Sequence, residues 1–263
     1  MEANFEHLIY TVVDGVATIT LNRPEVYNAV NNKISFELQD ALKDCARNAD
    51  VRVVVLTAAG EKAFCTGQDL KEIQNSPNRS LADSIEKRYN PIVKAIRHLP
   101  KPVIARVNGM AVGAGCSFAL AADLIVAADH AYFSEIFVNI GLVLDSGSSF
   151  FLPRLVGYGK AFELSTMGSK IPAEEAARLG MIYKCVPMTD LDAEVQKLTD
   201  YYKNAPTKAI GLMKKMLNRS YETSLDDMLE LERQYQQIAG SSEDYKEGTT
   251  AFSEKRKPTF TGR

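Results

Sequence analysis

The chain has 263 residues, a formal net charge of −2, 46% hydrophobic residues and 24% charged residues. That length can bury a sizeable core unaided, and the near-neutral charge gives no electrostatic reason to expect nucleic acid or an anionic membrane as partner. The four cysteines, Cys45, Cys65, Cys116 and Cys185, have no C-x-x-C spacing, so buried thiols in a reducing cytoplasm are expected rather than a disulfide framework.

The first residues, Met1 to Glu6, are acidic and lack an apolar signal core. Residues 8–14 and 16–21 flank Asp14-Gly15, a strong hairpin signal. Asn22-Arg23-Pro24 then breaks the strand. Residues 33–48 have helical spacing, with Ile34, Leu38, Ala41, Leu42 and Cys45 on one face. Residues 51–57 are β-branched and almost wholly apolar, as in a strand covered on both faces. Residues 74–81 read as a polar loop, 83–97 as a helix, 103–107 as a strand, 113–122 as an apolar helix and 124–127 as a short buried strand. The longest apolar stretch, 110–122, is too short to span a bilayer and contains Gly113, Gly115 and Ser117. After Pro172 the pattern changes. Helices are expected at 173–179, 190–204, 208–218, 224–239 and 243–254, interrupted by strand character at 181–186. The alternation predicts an α/β core over residues 1–200 and a helical C-terminal region over 201–263.

Two short glycine-bearing segments carry the chemistry. The first is Ala63-Phe64-Cys65-Thr66-Gly67-Gln68-Asp69-Leu70; the second is Asn108-Gly109-Met110-Ala111-Val112-Gly113-Ala114-Gly115-Cys116. Each follows a strand-like run, and their small residues allow a ligand to approach the backbone closely. The second also opens a helix, whose first amides point outward unpaired. Two backbone amides converging on one carbonyl oxygen make an oxyanion hole, which stabilises developing negative charge. The plainer alternative is two tight turns serving helix–strand packing.

These segments, with Leu21-Asn22-Arg23-Pro24, Lys101-Pro102-Val103-Ile104-Ala105-Arg106-Val107-Asn108-Gly109, Ala173-Glu174-Glu175-Ala176-Ala177-Arg178-Leu179-Gly180-Met181 and Phe252-Ser253-Glu254-Lys255-Arg256, stand in one order. In that order the chain resembles the crotonase (enoyl-CoA hydratase/isomerase) superfamily from about residue 5 to the end. The resemblance implies a spiral of ββα turns with a helical C-terminal oligomerisation region, assembled as a homotrimer or a dimer of trimers. It implies an acyl-CoA thioester as ligand, with CoA part of the substrate and no further cofactor. The hole amides would be those of Gln68 and Ala114. Ala63, Thr66, Asp69 and Leu70 would contact the substrate, and Ser117, Phe137 and Leu142, with the loop at 74–81, would shape the acyl pocket. Arg23 and Val26 would lie near the nucleotide, and Phe252 and Lys255 would reach CoA across a subunit interface.

The hydratases of this superfamily carry two glutamates, whose positions fall here on Ser117 and Phe137. Adding water needs an ordered water and acid/base groups, so hydration is disfavoured. Asp145, in Gly141-Leu142-Val143-Leu144-Asp145-Ser146-Gly147-Ser148-Ser149, is the expected base. An aspartate there resembles the ring-epoxide isomerases of phenylacetate degradation, which also move double bonds in acyl-CoA chains, and the 4-chlorobenzoyl-CoA dehalogenases. The dehalogenases also use a histidine and a tryptophan; residues 83–97 hold no histidine and the chain has no tryptophan. The reading is therefore an acyl-CoA isomerase with Asp145 as proton shuttle.

Alternatives remain at several positions. Asp145 also suits the N-cap of a short helix starting near Ser146. Glu135, two residues before Phe137 on an expected strand, would share its face, and reads as a rim or subunit-contact charge with a reserve catalytic role. Lys255, Arg256 and Lys257 suit simple complementation of a helix end. His7, His98 and His130 are scattered without metal-ligand spacing, so no metal is expected. Met213 and Met216 read as helix core. Two other classes stay open. One is a nucleotide-binding module, suggested by Gly113-x-Gly115 after a strand but weakened by Phe118 at the third glycine position. The other is a noncatalytic scaffold.

Overall fold

Residues 5–74 and 79–263 are described by the computed structural model, apart from the side chain of Ile73. Strands β1 (Leu8–Val13) and β2 (Val16–Leu21) pair antiparallel. Asp14 and Gly15 between them have φ of 47° and 79°, both left-handed, as a two-residue turn that follows the strand twist requires. Helix α1 (Asn32–Arg47) starts where the Asn31 side chain accepts a hydrogen bond from the Ile34 amide at 2.9 Å. It buries the expected Ile34, Leu38, Ala41, Leu42 and Cys45. Strand β3 (Val53–Ala58) is buried at every position.

From β3 onward one unit recurs. β3 is followed by β4 (Ala63–Cys65) and the helices α2 (Leu70–Gln74), α3 (Leu81–Ser84) and α4 (Asn90–His98). β5 (Val103–Val107) is followed by β6 (Met110–Val112) and α5 (Ala114–Ala121). β7 (Leu124–Ala128) is followed by β8 (Tyr132–Ser134), a 3-10 turn at Ile136–Ile140 and α6 (Ser148–Met167). β9 (Ile171–Pro172), α7 (Ala173–Arg178) and β10 (Lys184–Val186) complete the two sheets. The first strand of each unit joins a six-stranded sheet, order β1-β2-β3-β5-β7-β10; the second joins a four-stranded sheet, order β4-β6-β8-β9. Apart from the β1–β2 and β8–β9 pairs, neighbours run parallel. This is the expected spiral of ββα turns. Helix α5 lies buried along its whole length between the layers, which puts its N-terminus beside the end of β4.

Helices α8 (Leu191–Lys203), α9 (Thr207–Arg219), α10 (Leu225–Gly240) and α11 (Glu243–Ser253) follow. α8 packs on β3, β5 and β7. α9 is tied down by the buried Lys214, which donates to the Ile96 and Lys101 carbonyls and to Asp123 at 2.6 Å. Among the described residues, no helix is long and apolar enough to cross a membrane.

Several expectations are corrected. The helix expected at 83–97 is three pieces, because Ile85–Tyr89 forms a π turn. Pro91 has no N–H for the Lys87 carbonyl, and Gln39 supplies the missing donor at 3.1 Å. The loop expected at 74–81 lies largely outside the described residues, and Leu81 already begins α3. The strand expected to carry both Glu135 and Phe137 ends at Ser134, since its partner β6 ends at Val112. Glu135 instead caps the 3-10 turn, so the two side chains share no strand face. Met213, read as core, is 54% exposed.

Candidate active site

The two glycine segments meet. A Cβ on Gly67 would lie 3.1 Å from the Val112 carbonyl and 3.2 Å from the Ala114 amide nitrogen. Gly67 has φ of 80° and Gly113 of 54°, conformations that favour glycine. They turn the amides of Gln68 and Ala114 out of the ladder. Among the described residues, neither amide donates a hydrogen bond, although Gly67 O accepts from Val30 N and Asp69 N donates to Val30 O. A pair of free amides beside one another is the arrangement an oxyanion hole needs.

The other glycines do a different job. A Cβ on Gly115 would meet the Cys65 carbonyl, and one on Gly109 would meet the backbone of Lys62 at 2.5 Å. These glycines let backbone approach backbone, not ligand. Backbone packing falls to Gly109 and Gly115, and the positive-φ turns beside the two free amides fall to Gly67 and Gly113. The Gly115 contact also leaves no room for the phosphate approach that a dinucleotide fingerprint requires.

Beside the two free amides, the Phe137 ring comes within 3.9 Å of where a Cβ on Gly113 would stand. Ser117, one turn into α5, is fully buried. Its Oγ contacts the Gly113 carbonyl at 3.2 Å, the Asp145 carbonyl at 3.3 Å and the Ser148 Oγ at 2.5 Å. It is thus a link under the site rather than an open wall. Asp145 is half-buried, and its Oδ1 accepts from the Ser146 hydroxyl at 2.7 Å. α6 begins at Ser148 with Gly147 as its cap and no side-chain cap bond, so Asp145 is not the helix cap that its sequence context suggested. Burial raises the Asp145 carboxyl above its ordinary value, and the Ser146 hydroxyl works against this.

Glu135 is the residue that sequence reasoning misplaced. It is 2% exposed, not a rim charge. Its Oε1 accepts from the Ser148 hydroxyl at 2.7 Å, and among the described residues its Oε2 takes part in no hydrogen bond of normal geometry. Burial pushes this carboxyl up to about 7; the Ser148 hydroxyl and the adjacent Cys116 thiol pull it down, and the Asp145 charge adds to the rise. The Cys116 thiol is in turn raised by burial and by Glu135. Tyr89, aimed inward by the π turn and stacked on Phe118 at 6.1 Å, was also missed. Its hydroxyl has no partner among the described residues. The only sequence signal for Glu135 was a charge directly after an apolar strand; Tyr89 gave none.

The remaining expected residues fall into separate groups. Arg23 pairs with Asp69 at 2.9 Å and donates to the Ala29 carbonyl, so both side chains are engaged in this chain. Burial opposes the Asp69 charge, but Arg23 holds its carboxyl below the ordinary value. Val26 is half-buried in a 3-10 turn, and Thr66 donates to the Tyr27 carbonyl at 3.3 Å. Ala63 is buried, with its carbonyl on Asn28; Leu70 and Leu142 are exposed. Phe252 is 88% exposed and lines a cleft of about 990 Å³ with Tyr245 and Phe260, among residues of α9 to α11 and the tail. None of the hole residues lines that cleft. Lys255 is exposed just past α11.

The model of the enoyl-CoA hydratase/isomerase family matches residues 11–263. The chain is 41% identical over 261 residues to 1,2-epoxyphenylacetyl-CoA isomerase of Escherichia coli K12, covering 98% of this chain and 99% of that one. It is 40% identical over 260 residues to a probable enoyl-CoA hydratase of Rhodobacter capsulatus, covering 99% and 100%. The crystal structure of an enoyl-CoA hydratase from Bacillus anthracis superposes with a TM-score of 0.92 at 31% identity, covering 98% of this chain and all of that one. Sequence, spiral fold and paired amides agree: the chain belongs to the enoyl-CoA hydratase/isomerase family, within the crotonase superfamily.

Proposed function

We propose that the chain is an acyl-CoA isomerase that moves a double bond, or opens a ring epoxide, through a thioester enolate. Family membership gives the coarser activity, isomerisation or hydration of an acyl-CoA. The finer reading rests on one observation: Asp145 is a half-buried carboxylate whose backbone carbonyl is bonded to Ser117 at the start of α5. The resemblance adds that Ser117 and Phe137 take the positions of the two hydratase glutamates. The similarity to an isomerase at 41% supports it, and the near-equal similarity to a named hydratase is why an assay must decide.

For a 3-enoyl-CoA the steps balance with one base. The amides of Gln68 and Ala114 hold the thioester oxygen. The Asp145 carboxylate takes a proton from Cα, and the C–H electron pair enters the conjugated enolate, whose charge rests on that oxygen. Asp145 then returns the proton at Cγ, leaving the double bond between Cα and Cβ. One hole donor is worth about 3–4 kcal/mol of barrier. The base must be ionised, so activity falls as pH drops through its pKa. Burial moves that limb above the usual aspartate range.

The test is Asp145→Asn, which keeps size but cannot accept the proton. Wild type should convert a 3-enoyl-CoA to the conjugated 2-enoyl-CoA and hydrate crotonyl-CoA slowly or not at all. Asp145→Asn should bind acyl-CoA as wild type does and lose at least about a hundredfold in kcat. Efficient hydration of crotonyl-CoA by wild type, or an active Asp145→Asn, overturns the reading. An aryl-epoxide CoA ester run beside the enoyl esters separates the two isomerisations.

A further inference from the structure

A buried hydroxyl chain runs from Glu135 to the loop that carries Asp145. Ser148 Oγ lies 2.7 Å from Glu135 Oε1 and 2.5 Å from Ser117 Oγ; Ser117 Oγ lies 3.3 Å from the Asp145 carbonyl. Ser148 also donates its own amide to that carbonyl at 3.1 Å. The three residues come from the β8 end, α5 and α6, so no single element needs them together. Among the described residues Oε2 of Glu135 takes part in no hydrogen bond of normal geometry, and the adjacent Cys116 thiol is at best a weak donor, so burying this carboxyl is costly on a purely structural account.

Each hydroxyl has one proton to give. With Glu135 ionised, Ser148 donates to Oε1. Ser117 must then be the donor in the 2.5 Å contact, and its proton is unavailable to the Asp145 carbonyl. With Oε1 protonated, the carboxyl donates to Ser148, Ser148 donates to Ser117, and Ser117 is free to hold the Asp145 or Gly113 carbonyl. One proton thus reverses the whole chain. We propose that Glu135 is a positioning residue for Asp145, its carboxyl setting the direction of the Ser148–Ser117 hydroxyls and through them the tether on the Asp145 backbone. The proposal rests on the reading of Asp145 as the base. The titratable groups facing Glu135 are Cys116 from α5 and Asp145 from the loop; Tyr89 from the π turn faces Asp145 in turn.

The experiment is a carbon-13 titration of the full chain labelled at aspartate and glutamate carboxyls, with Glu135→Gln, Ser148→Ala and Asp145→Asn for assignment. A glutamate resonance should titrate near pH 7 and vanish in Glu135→Gln. The Asp145 resonance should show a second inflection at that pH in wild type, lost in both Glu135→Gln and Ser148→Ala. In isomerisation assays Glu135→Gln should lose one limb of the kcat pH profile while KM stays within about twofold. An Asp145 resonance indifferent to both variants overturns the proposal, whatever the activity. If the resonances are coupled but wild type isomerises nothing, the functional reading fails and the positioning link stands. Ser148→Ala keeps Glu135 in place, so a folding defect in Glu135→Gln would not shield the idea.

Discussion

Glu135 is a carboxyl held in the interior with hydroxyl and thiol neighbours but no cation on either oxygen. Its proton affinity is higher in the folded chain, near 7, than the ordinary 4.5 of a glutamate. The unfolded chain therefore releases this proton first as pH rises. Stability contributed by Glu135 falls between about pH 4.5 and 7, and the full deficit, about 3 kcal/mol, is present above 7. Glutamine cannot ionise and keeps a carbonyl for the Ser148 hydroxyl. Glu135→Gln should be near neutral at pH 5 and more stable than wild type at pH 8.5, read by urea unfolding at both values. An equal effect at the two pH values would mean that Glu135 does not carry its proton in the fold. The native sequence keeps the costlier residue, as expected where a titratable group serves the site rather than the core.

At the scale of elements, the proposed hole depends on how tightly α5 sits on β4. Gly115 is the contact: its missing Cβ is the space taken by the Cys65 carbonyl. Gly115→Ala must push α5 away from β4 or move Cys65, and either shift separates the Gln68 and Ala114 amides. A misplacement of about 1 Å is enough to cost a hundredfold in rate. We expect Gly115→Ala to fold with lower stability and to lose kcat more than KM, checked by circular dichroism and steady-state kinetics together. Normal kcat would show that the hole tolerates the shift. Gly115 also shows what was legible in the sequence. Glycines at strand-to-helix joints marked where the two segments meet, but the sequence could not say which of them press backbone on backbone and which carry a positive φ. The α1 face and β3 were readable because periodicity needs only neighbours along the chain. The π turn was not, since its carbonyls are satisfied by Gln39, far upstream. Glu135 was misread for the same reason: its neighbours Ser148 and Cys116 arrive from other helices.

At the scale of the whole molecule, the C-terminal helices leave apolar surface uncovered. α10 buries none of its residues in this chain, and Leu225, Leu229 and Ile238 on it are exposed, as are Leu217, Tyr221 and Phe252 nearby in sequence. Leu225 and Leu229 stand one turn apart on α10, and apolar side chains that form a contiguous exposed face mark an interaction surface. The chain proposed to cover it is a second copy, in a trimer or a pair of trimers, which would also give Phe252 and Lys255 a route to a neighbour's ligand that they lack within their own chain. Leu229→Glu places a charge on that face at a half-exposed site. Sedimentation of wild type should give three or six copies, and Leu229→Glu should shift the protein toward single chains. If the tail serves a neighbour's site, the dissociated variant should keep its circular dichroism and bind acyl-CoA more weakly, since the lost contacts act on ground and transition state alike. A wild type that sediments as one chain would end the proposal. An oligomer whose dissociation leaves KM unchanged would keep the interface and remove the tail from the site.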